Sequence, residues 1–186
     1  MILIDAVFIN DGGGKVLLDY LINELEKSKK KVTYLLDERV KYRVQPIKTS
    51  NSLFFISNKF QLRRRFYLQN KSSFSVIFCF GNVPPYIKTS AIVYTYFHQL
   101  LFLESQSNFS LKDRVLIFLK QRVIDYFKQY SDYWCVQTSL VAEKLNRKFK
   151  LDTDKIKILP FYDPLRKTLS LKRKMHTYCY VANAYS

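Results

Sequence analysis

The stretch Ile2-Leu3-Ile4-Asp5-Ala6-Val7-Phe8-Ile9-Asn10-Asp11-Gly12-Gly13-Gly14-Lys15 decides how the rest of the chain is read. It opens with a nearly continuous apolar run, the pattern of a parallel strand buried on both faces. Met1–Asn10 is read as one strand, 11–15 as a turn, and a helix is expected to begin near Val16. Three of the four glycines in the chain stand in that turn. Glycine takes positive φ cheaply and has no Cβ to keep a ligand from the backbone. A glycine turn opening a helix also leaves unpaired N–H groups where the helix dipole favours an anion. Ligands of α/β sheets bind at the carboxyl ends of strands, where this turn lies. A site for a phosphate-bearing ligand is therefore expected at Gly12, Gly13, Gly14 and Lys15. The competing reading is a tight strand-to-helix turn that holds nothing.

Working outward, Val16–Leu25 carries Leu17, Leu21 and Leu25 at helical spacing, and the basic run Lys27–Lys31 closes that helix favourably for its dipole. Val32–Leu36 is a second strand, which completes a right-handed βαβ unit. Leu53–Ile56, Ser75–Phe80, Ala91–Phe97, Tyr133–Gln137 and Ile156–Leu159 read as further strands. Gln61–Gln69 and the stretch from Thr138 or Ser139 to Phe149 read as helices. So does Leu111–Tyr130, with Val115, Leu119, Val123, Tyr126, Phe127 and Tyr130 on its expected core stripe. Alternating strands and helices define an α/β class: a Rossmann-like, mostly parallel sheet with helices on both faces. Residues 1–164 are expected to form this domain and 165–175 a basic linker. Residues 176–186, containing Thr177-Tyr178-Cys179-Tyr180-Val181, read as the first strand of a second domain.

The chain has 186 residues, enough for one domain with a sizeable core, and 48% of them are apolar, which excludes a disordered main state. Thirty-one Lys and Arg against fifteen Asp and Glu give a net charge of +16 and point to an anionic partner. No secretory leader or membrane-spanning run is legible. Cys79, Cys135 and Cys179 show no metal spacing and read as buried thiols of a reducing compartment. The basic residues Lys59, Arg63, Arg64, Arg65, Lys144, Arg147 and Lys148 fall on expected surface helices. With Phe60, Phe66 and Tyr67 interleaved, they are read as a surface for anionic membrane. Lys112, Arg114, Lys120, Arg122 and Lys128 decorate the longest helix.

No nucleophile–base pair, metal cluster or carboxylate pair is legible. A phosphate-binding Gly-x-x-x-x-Gly-Lys-Ser/Thr match fails at Ile9 and Val16, and Gly-x-Gly-x-x-Gly fails at Leu17. If the sheet is parallel, however, Gly12–Lys15, Gly81-Asn82, His98-Gln99, Thr138-Ser139 and Pro160-Phe161 all follow strands and share one edge. Asn82, His98, Gln99, Gln137 and Thr138 thus join the glycines as substrate-binding candidates. His98 is the best catalytic candidate, one of two histidines and placed at the end of an apolar strand. The bland alternatives are a hydrogen-bonded structural histidine and, for Thr138 and Ser139, helix caps.

The order Ile2-Leu3-Ile4-Asp5-Ala6 with Gly12-Gly13-Gly14, then Tyr94-Thr95-Tyr96-Phe97-His98-Gln99, Trp134-Cys135-Val136-Gln137-Thr138 and Ile158-Leu159-Pro160-Phe161, resembles the amino-terminal half of a GT-B glycosyltransferase of family 4. Tyr178–Ser186 is similar to the start of that family's second domain, without the His-Lys-Asn-His segment that usually follows. The resemblance implies sugar transfer from a nucleotide-sugar donor, a co-substrate held mostly by the second domain, with no cofactor and no metal. It places Gly12, Gly13 and Gly14 near the donor diphosphate and acceptor, His98 near the transferred sugar, and Gln137 and Thr138 on the same edge. It also implies an envelope polysaccharide or lipid-linked acceptor, a cytoplasmic protein peripheral to the inner face of the membrane, and no turnover without the second domain. A homodimer through the terminal strand is a further expectation. The runner-up is a basic nucleic-acid-binding α/β module, and a third reading is a non-catalytic scaffold.

Overall fold

A computed structural model describes residues 1–104 and 109–160. The expected linker 165–175, the expected terminal strand 176–186, Cys179 and Phe161 lie outside the described residues. Seven parallel strands form one sheet in the order β3-β2-β1-β4-β5-β6-β7. They are β1 Ile2–Ala6, β2 Val32–Asp37, β3 Ser52–Ile56, β4 Val76–Phe80, β5 Ile92–Phe97, β6 Tyr133–Val136 and β7 Ile156–Ile158. Four helices connect them: α1 Gly12–Lys27, α2 Phe60–Asn70, α3 Leu111–Phe127 and α4 Ser139–Phe149. The chain is thus a Rossmann-like α/β protein. Strand order reverses direction between β1 and β4, which pair side by side from Ile2 opposite Val76 to Asp5 opposite Cys79.

Side chains of a strand alternate between the two faces, and helices cover both. On one face Ile4, Ala6, Tyr34 and Leu36 pack with Leu18 and Ile22 of α1. On the other, Leu3, Leu35 and Ile77 pack with Phe66 and Tyr67 of α2, while Phe97, Trp134 and Val136 pack with Ile117 and Ile124 of α3 and Leu145 and Phe149 of α4. Right-handed crossovers require this division. Chain moving from β1 toward the β3 edge must pass over one face, and chain moving toward β7 over the other.

Several expectations from the sequence are corrected. The first strand stops at Ala6, and the next residues turn back so that Ile9 N–H donates to Ala6 O at 3.0 Å. The helix after it starts at Gly12, with Asp11 as its N-cap, so the three glycines are the first turn of α1 rather than a loop before it. Arg63 is not a surface cation: it is 1% exposed, buried with Asp5 beneath α2. Phe66 and Tyr67 are buried beside it and do not face solvent. The face of α3 that enters the core is Ile117, Gln121, Ile124 and Phe127, while Val115, Leu119, Val123 and Tyr126 of the expected core stripe are exposed. Both stripes have helical spacing in the sequence. The sheet accepts the one whose centre carries two isoleucines, and the Gln121 amide within it is satisfied by donating to Phe102 O at 2.8 Å. Cys79 and Cys135 are buried free thiols.

Candidate functional site

A cleft of about 1170 Å³ opens at the carboxyl edge of the sheet, across the point where strand order reverses. Each strand from β1 to β6 delivers residues to it from the turn that follows. These are Phe8–Asp11 after β1, Arg39 after β2, Asn58 after β3, Gly81–Val83 after β4, His98 and Gln99 after β5, and Gln137 after β6. Gly13, Gly14 and Val16 of α1 form one wall, and Leu116, Leu119, Lys120 and Val123 of α3 form the wall opposite. An open parallel sheet has its natural crevice at such a point, because neighbouring loops diverge to opposite faces there.

The glycine turn is built by Asp11, whose carboxylate accepts the Gly12 N–H at 2.7 Å. Gly12 sits at φ +61°, a left-handed conformation that suits glycine. Gly14 serves a different need, close approach. A Cβ there would stand 3.3 Å from Nε2 of His98 and 3.3 Å from Cδ1 of Ile9. Gly13 has open space where its Cβ would be, and its backbone faces the cleft beside that contact. The alternation of β5 explains the meeting with His98. Tyr94 and Tyr96 point to the α1 face of the sheet, and His98, two residues further, continues that row up to the first turn of α1.

The imidazole of His98 lies within 5.9 and 6.0 Å of the Phe80 and Tyr96 ring centroids, with planes 24° and 26° from theirs. Its Nδ1 is buried and makes no hydrogen bond among the described residues. Burial pushes the His98 pKa from 6.5 down to about 4, so the ring is neutral near pH 7. A neutral ring pairs one N–H donor with one bare nitrogen acceptor. Asn82 fixes the backbone beneath it: its Oδ1 accepts the N–H of His98 at 2.8 Å and that of Gln99 at 3.2 Å. Asn82 holds φ +67°, is buried, and lines the cleft while its side chain positions His98 and Gln99. Gln137 approaches the same rim from β6, and burial pushes the Tyr96 phenol up to about 12.

The sequence-derived candidates therefore divide. Gly13, Gly14, Asn82, His98, Gln99 and Gln137 line one cleft. Lys15 does not contribute its charge there. Its Nζ lies 2.6 Å from both carboxylate oxygens of Asp19 and donates to Arg43 O, because the first turn of α1 points this side chain toward the loop after β2. Thr138 caps α4, its hydroxyl accepting the Val141 N–H at 3.3 Å. Among the basic surface candidates, Lys144 pairs with Glu104 and Arg147 with Glu143, while Lys59, Arg64, Arg65 and Lys148 are exposed. Arg39, Asn58 and the α3 wall are missing from the sequence reading. The rule that found His98 also points to Arg39 and Asn58, since they follow β2 and β3. The α3 wall follows from that helix being apolar on more than one side.

The floor of the cleft is held from below by a buried polar cluster. Arg63 donates from Nε to Asp5 Oδ2 at 2.8 Å, from Nη1 to Pro84 O at 2.8 Å and from Nη2 to Val83 O at 3.0 Å. Its guanidinium lies over the rings of Tyr86, Phe8 and Tyr67 at 4.6, 5.2 and 5.4 Å. The Tyr67 hydroxyl also donates to Asp5, and burial pushes the Cys79 thiol beside them up to about 12. One buried cation thereby ties β1, α2 and the loop after β4, and with them the cleft residues Phe8, Val83 and Tyr86. Gly81 completes the floor, since a Cβ there would stand 3.3 Å from Cβ of Phe8. Among the described residues, no group of three His, Cys, Asp or Glu could hold a metal ion.

No family model and no curated protein matches the sequence. Among solved structures the chain is similar to Anabaena Alr3699/HepE, crystallised in complex with UDP and glucose. The two share 11% identity with a TM-score of 0.48, and the match covers 86% of this chain and 43% of that chain. The described chain thus spans less than half the length of that protein.

Proposed function

We propose that the cleft binds the diphosphate and sugar of a nucleotide-sugar donor beside a saccharide or lipid-linked acceptor, as the acceptor-side half of a glycosyltransferase. The observation that carries this reading is the convergence of a helix N-terminus and a neutral histidine on one open crevice. Sugar transfer from a nucleotide donor leaves negative charge on the departing diphosphate. The Gly13 and Gly14 amides, at the positive end of α1 and with no side chain in front of them, are suited to accept it. His98 acts here by hydrogen bonding to a sugar hydroxyl. At a pKa of about 4 it is a weak proton acceptor and carries no charge near neutrality. Gln99 and Gln137 add amide donors and acceptors on the same rim, the chemistry that reads hydroxyl groups.

Titrating the chain with UDP and with inorganic pyrophosphate, followed by the amide resonances of 12–14 and the ring resonances of His98, tests the reading. Both probes are expected to move these signals. Gly13→Asp projects a carboxylate into open space at the same spot and is expected to abolish the response while leaving the fold intact. A response that Gly13→Asp does not alter, or none at millimolar probe, overturns the proposal.

A further inference from the structure

The outward face of α3 extends past Leu119 and Val123, the part of it that lines the cleft. With about 100° per residue, Leu111, Phe118, Val115, Tyr126, Leu119 and Val123 fall within an arc of roughly 140°, opposite the buried arc of Ile117, Gln121 and Ile124. Leu111 is 77% exposed, Tyr126 67% and Val115 57%. Several large apolar side chains gather on one exposed helical strip, and a contiguous apolar patch rimmed by polar residues is the form an interaction site takes. A helix apolar on nearly every side is normally covered on nearly every side.

We infer that this face docks on an anionic lipid bilayer, with α3 lying in the interface plane and its outward residues at the boundary of the acyl chains. The placement of charge selects a bilayer over a protein. Lys112 and Arg122 project from within the apolar arc, and Arg114 and Lys120 flank it. Cores of protein interfaces are depleted in lysine though not in arginine, so Lys112 within the arc and Lys120 beside it make the distinction; in a bilayer long basic side chains bury their stems and return their charges to the phosphates. Only Asp113 and Asp125 oppose these cations on α3. Asp113 is engaged by the Ser110 hydroxyl, and Asp125 pairs with Lys128 at 2.9 Å and Arg122 at 3.9 Å. The +16 net charge of the chain has the same sign preference. No described helix is long and apolar enough to cross a membrane, so α3 lies on it. Leu116, Leu119 and Val123 also line the cleft, so a bilayer against α3 reaches the mouth of that cleft.

The test is co-sedimentation of the full 186-residue chain with vesicles of phosphatidylcholine plus phosphatidylglycerol, and of phosphatidylcholine alone, over a salt series. Binding is expected to the anionic vesicles and to weaken with salt. Replacing Val115, Phe118 and Tyr126 by Ser keeps every charge and is expected to weaken binding at least roughly tenfold, with an unchanged melting temperature. Lys29→Ser with Lys30→Ser removes two exposed charges from the turn after α1, on the other face of the sheet, and should change binding by no more than about twofold. In a Val115→Trp variant the new indole emission should shift blue on anionic vesicles, while Trp134 is buried and reports little. Failure of the parent chain to bind anionic vesicles at low salt overturns the inference. So does a serine variant that binds as the parent does. A concentration-dependent dimer that the serine variant abolishes, without vesicle binding, would assign the face to a second copy instead.

Discussion

Replacing Arg63 by alanine separates the folded arrangement from what the sequence alone suggests. On the helical repeat of Arg63-Arg64-Arg65 the three arginines look equivalent, and surface substitutions stay within about 0.5 kcal/mol. In the structure Arg63 is 1% exposed and its ion pair with Asp5 spans 2.8 Å with both side chains buried. Burial works against the Arg63 charge, but Asp5 outweighs it and holds the guanidinium pKa above its ordinary value. Removing the cation strands a buried carboxylate, which costs about 3–5 kcal/mol. Val83 O and Pro84 O lose their donors as well, at about 1–3 kcal/mol for each buried group left unsatisfied. These effects overlap rather than add, but even the lower figure approaches the total of about 5–15 kcal/mol for a domain. Arg63→Ala is therefore expected to be largely unfolded or insoluble, and Arg64→Ala to unfold in urea where the parent does. Arg63→Lys keeps the charge and loses the fork to the two carbonyls, so it should fold with a lower midpoint. A matched apolar replacement, Asp5→Leu with Arg63→Met and Tyr67→Phe, should recover most of the loss, since exchanging a whole buried pair for apolar groups is often neutral. Urea unfolding followed by far-ultraviolet circular dichroism reads all four variants against the parent. If Arg63→Ala and Arg64→Ala give the same midpoint, or the triple replacement is as damaged as Arg63→Ala, the buried-pair account is refuted.

The glycine turn predicts an ordered series. Gly12→Ala, forced to φ +61°, should lose about 1–2 kcal/mol. Gly13→Ala, in open space within a helix, should be neutral or gain up to about 1 kcal/mol in urea unfolding. Gly14→Ala should shift the ring resonances of His98, because the new methyl arrives 3.3 Å from Nε2. The depressed His98 pKa predicts a pH effect of definite sign. Between pH 6.5 and about 4 the unfolded chain takes up a proton that the native ring refuses, so stability falls as pH falls through that window and this contribution is flat outside it. Its full size is about 3 kcal/mol at most. It is read as the difference in urea stability between parent and His98→Asn across pH, and a constant difference would refute the burial of the ring.

The parallel sheet was legible because each strand is a short, nearly continuous apolar run and helical patterns alternate with them. The same rule locates the carboxyl edge, and so brings Gly14, His98 and Gln137 to one place from the sequence alone. What could not be read was direction around a helix axis. Arg63 looks like its neighbours until the register of α2 on the sheet is known, and only then does Asp5, an acid inside a central strand, acquire its partner. Lys15 fails for the same reason, being turned toward Asp19 rather than the glycine amides. In α3 two apolar stripes compete, and the sequence does not say which one the sheet will take.

That ambiguity in α3 has a physical content of its own. A helix with one apolar stripe has its orientation fixed by the core, and its outer face is then polar by default. Here the stripe turned away from the core keeps large apolar residues, although polar ones would cost the fold nothing, and cations are set within it. Core packing therefore does not account for Val115, Phe118 or Tyr126. Under the docking inferred above, a lipid headgroup layer covers them and takes up the charges of Lys112 and Arg122 set among them. The cleft wall formed by the adjoining residues of the same helix then sits where an acceptor with an apolar tail would arrive from the bilayer.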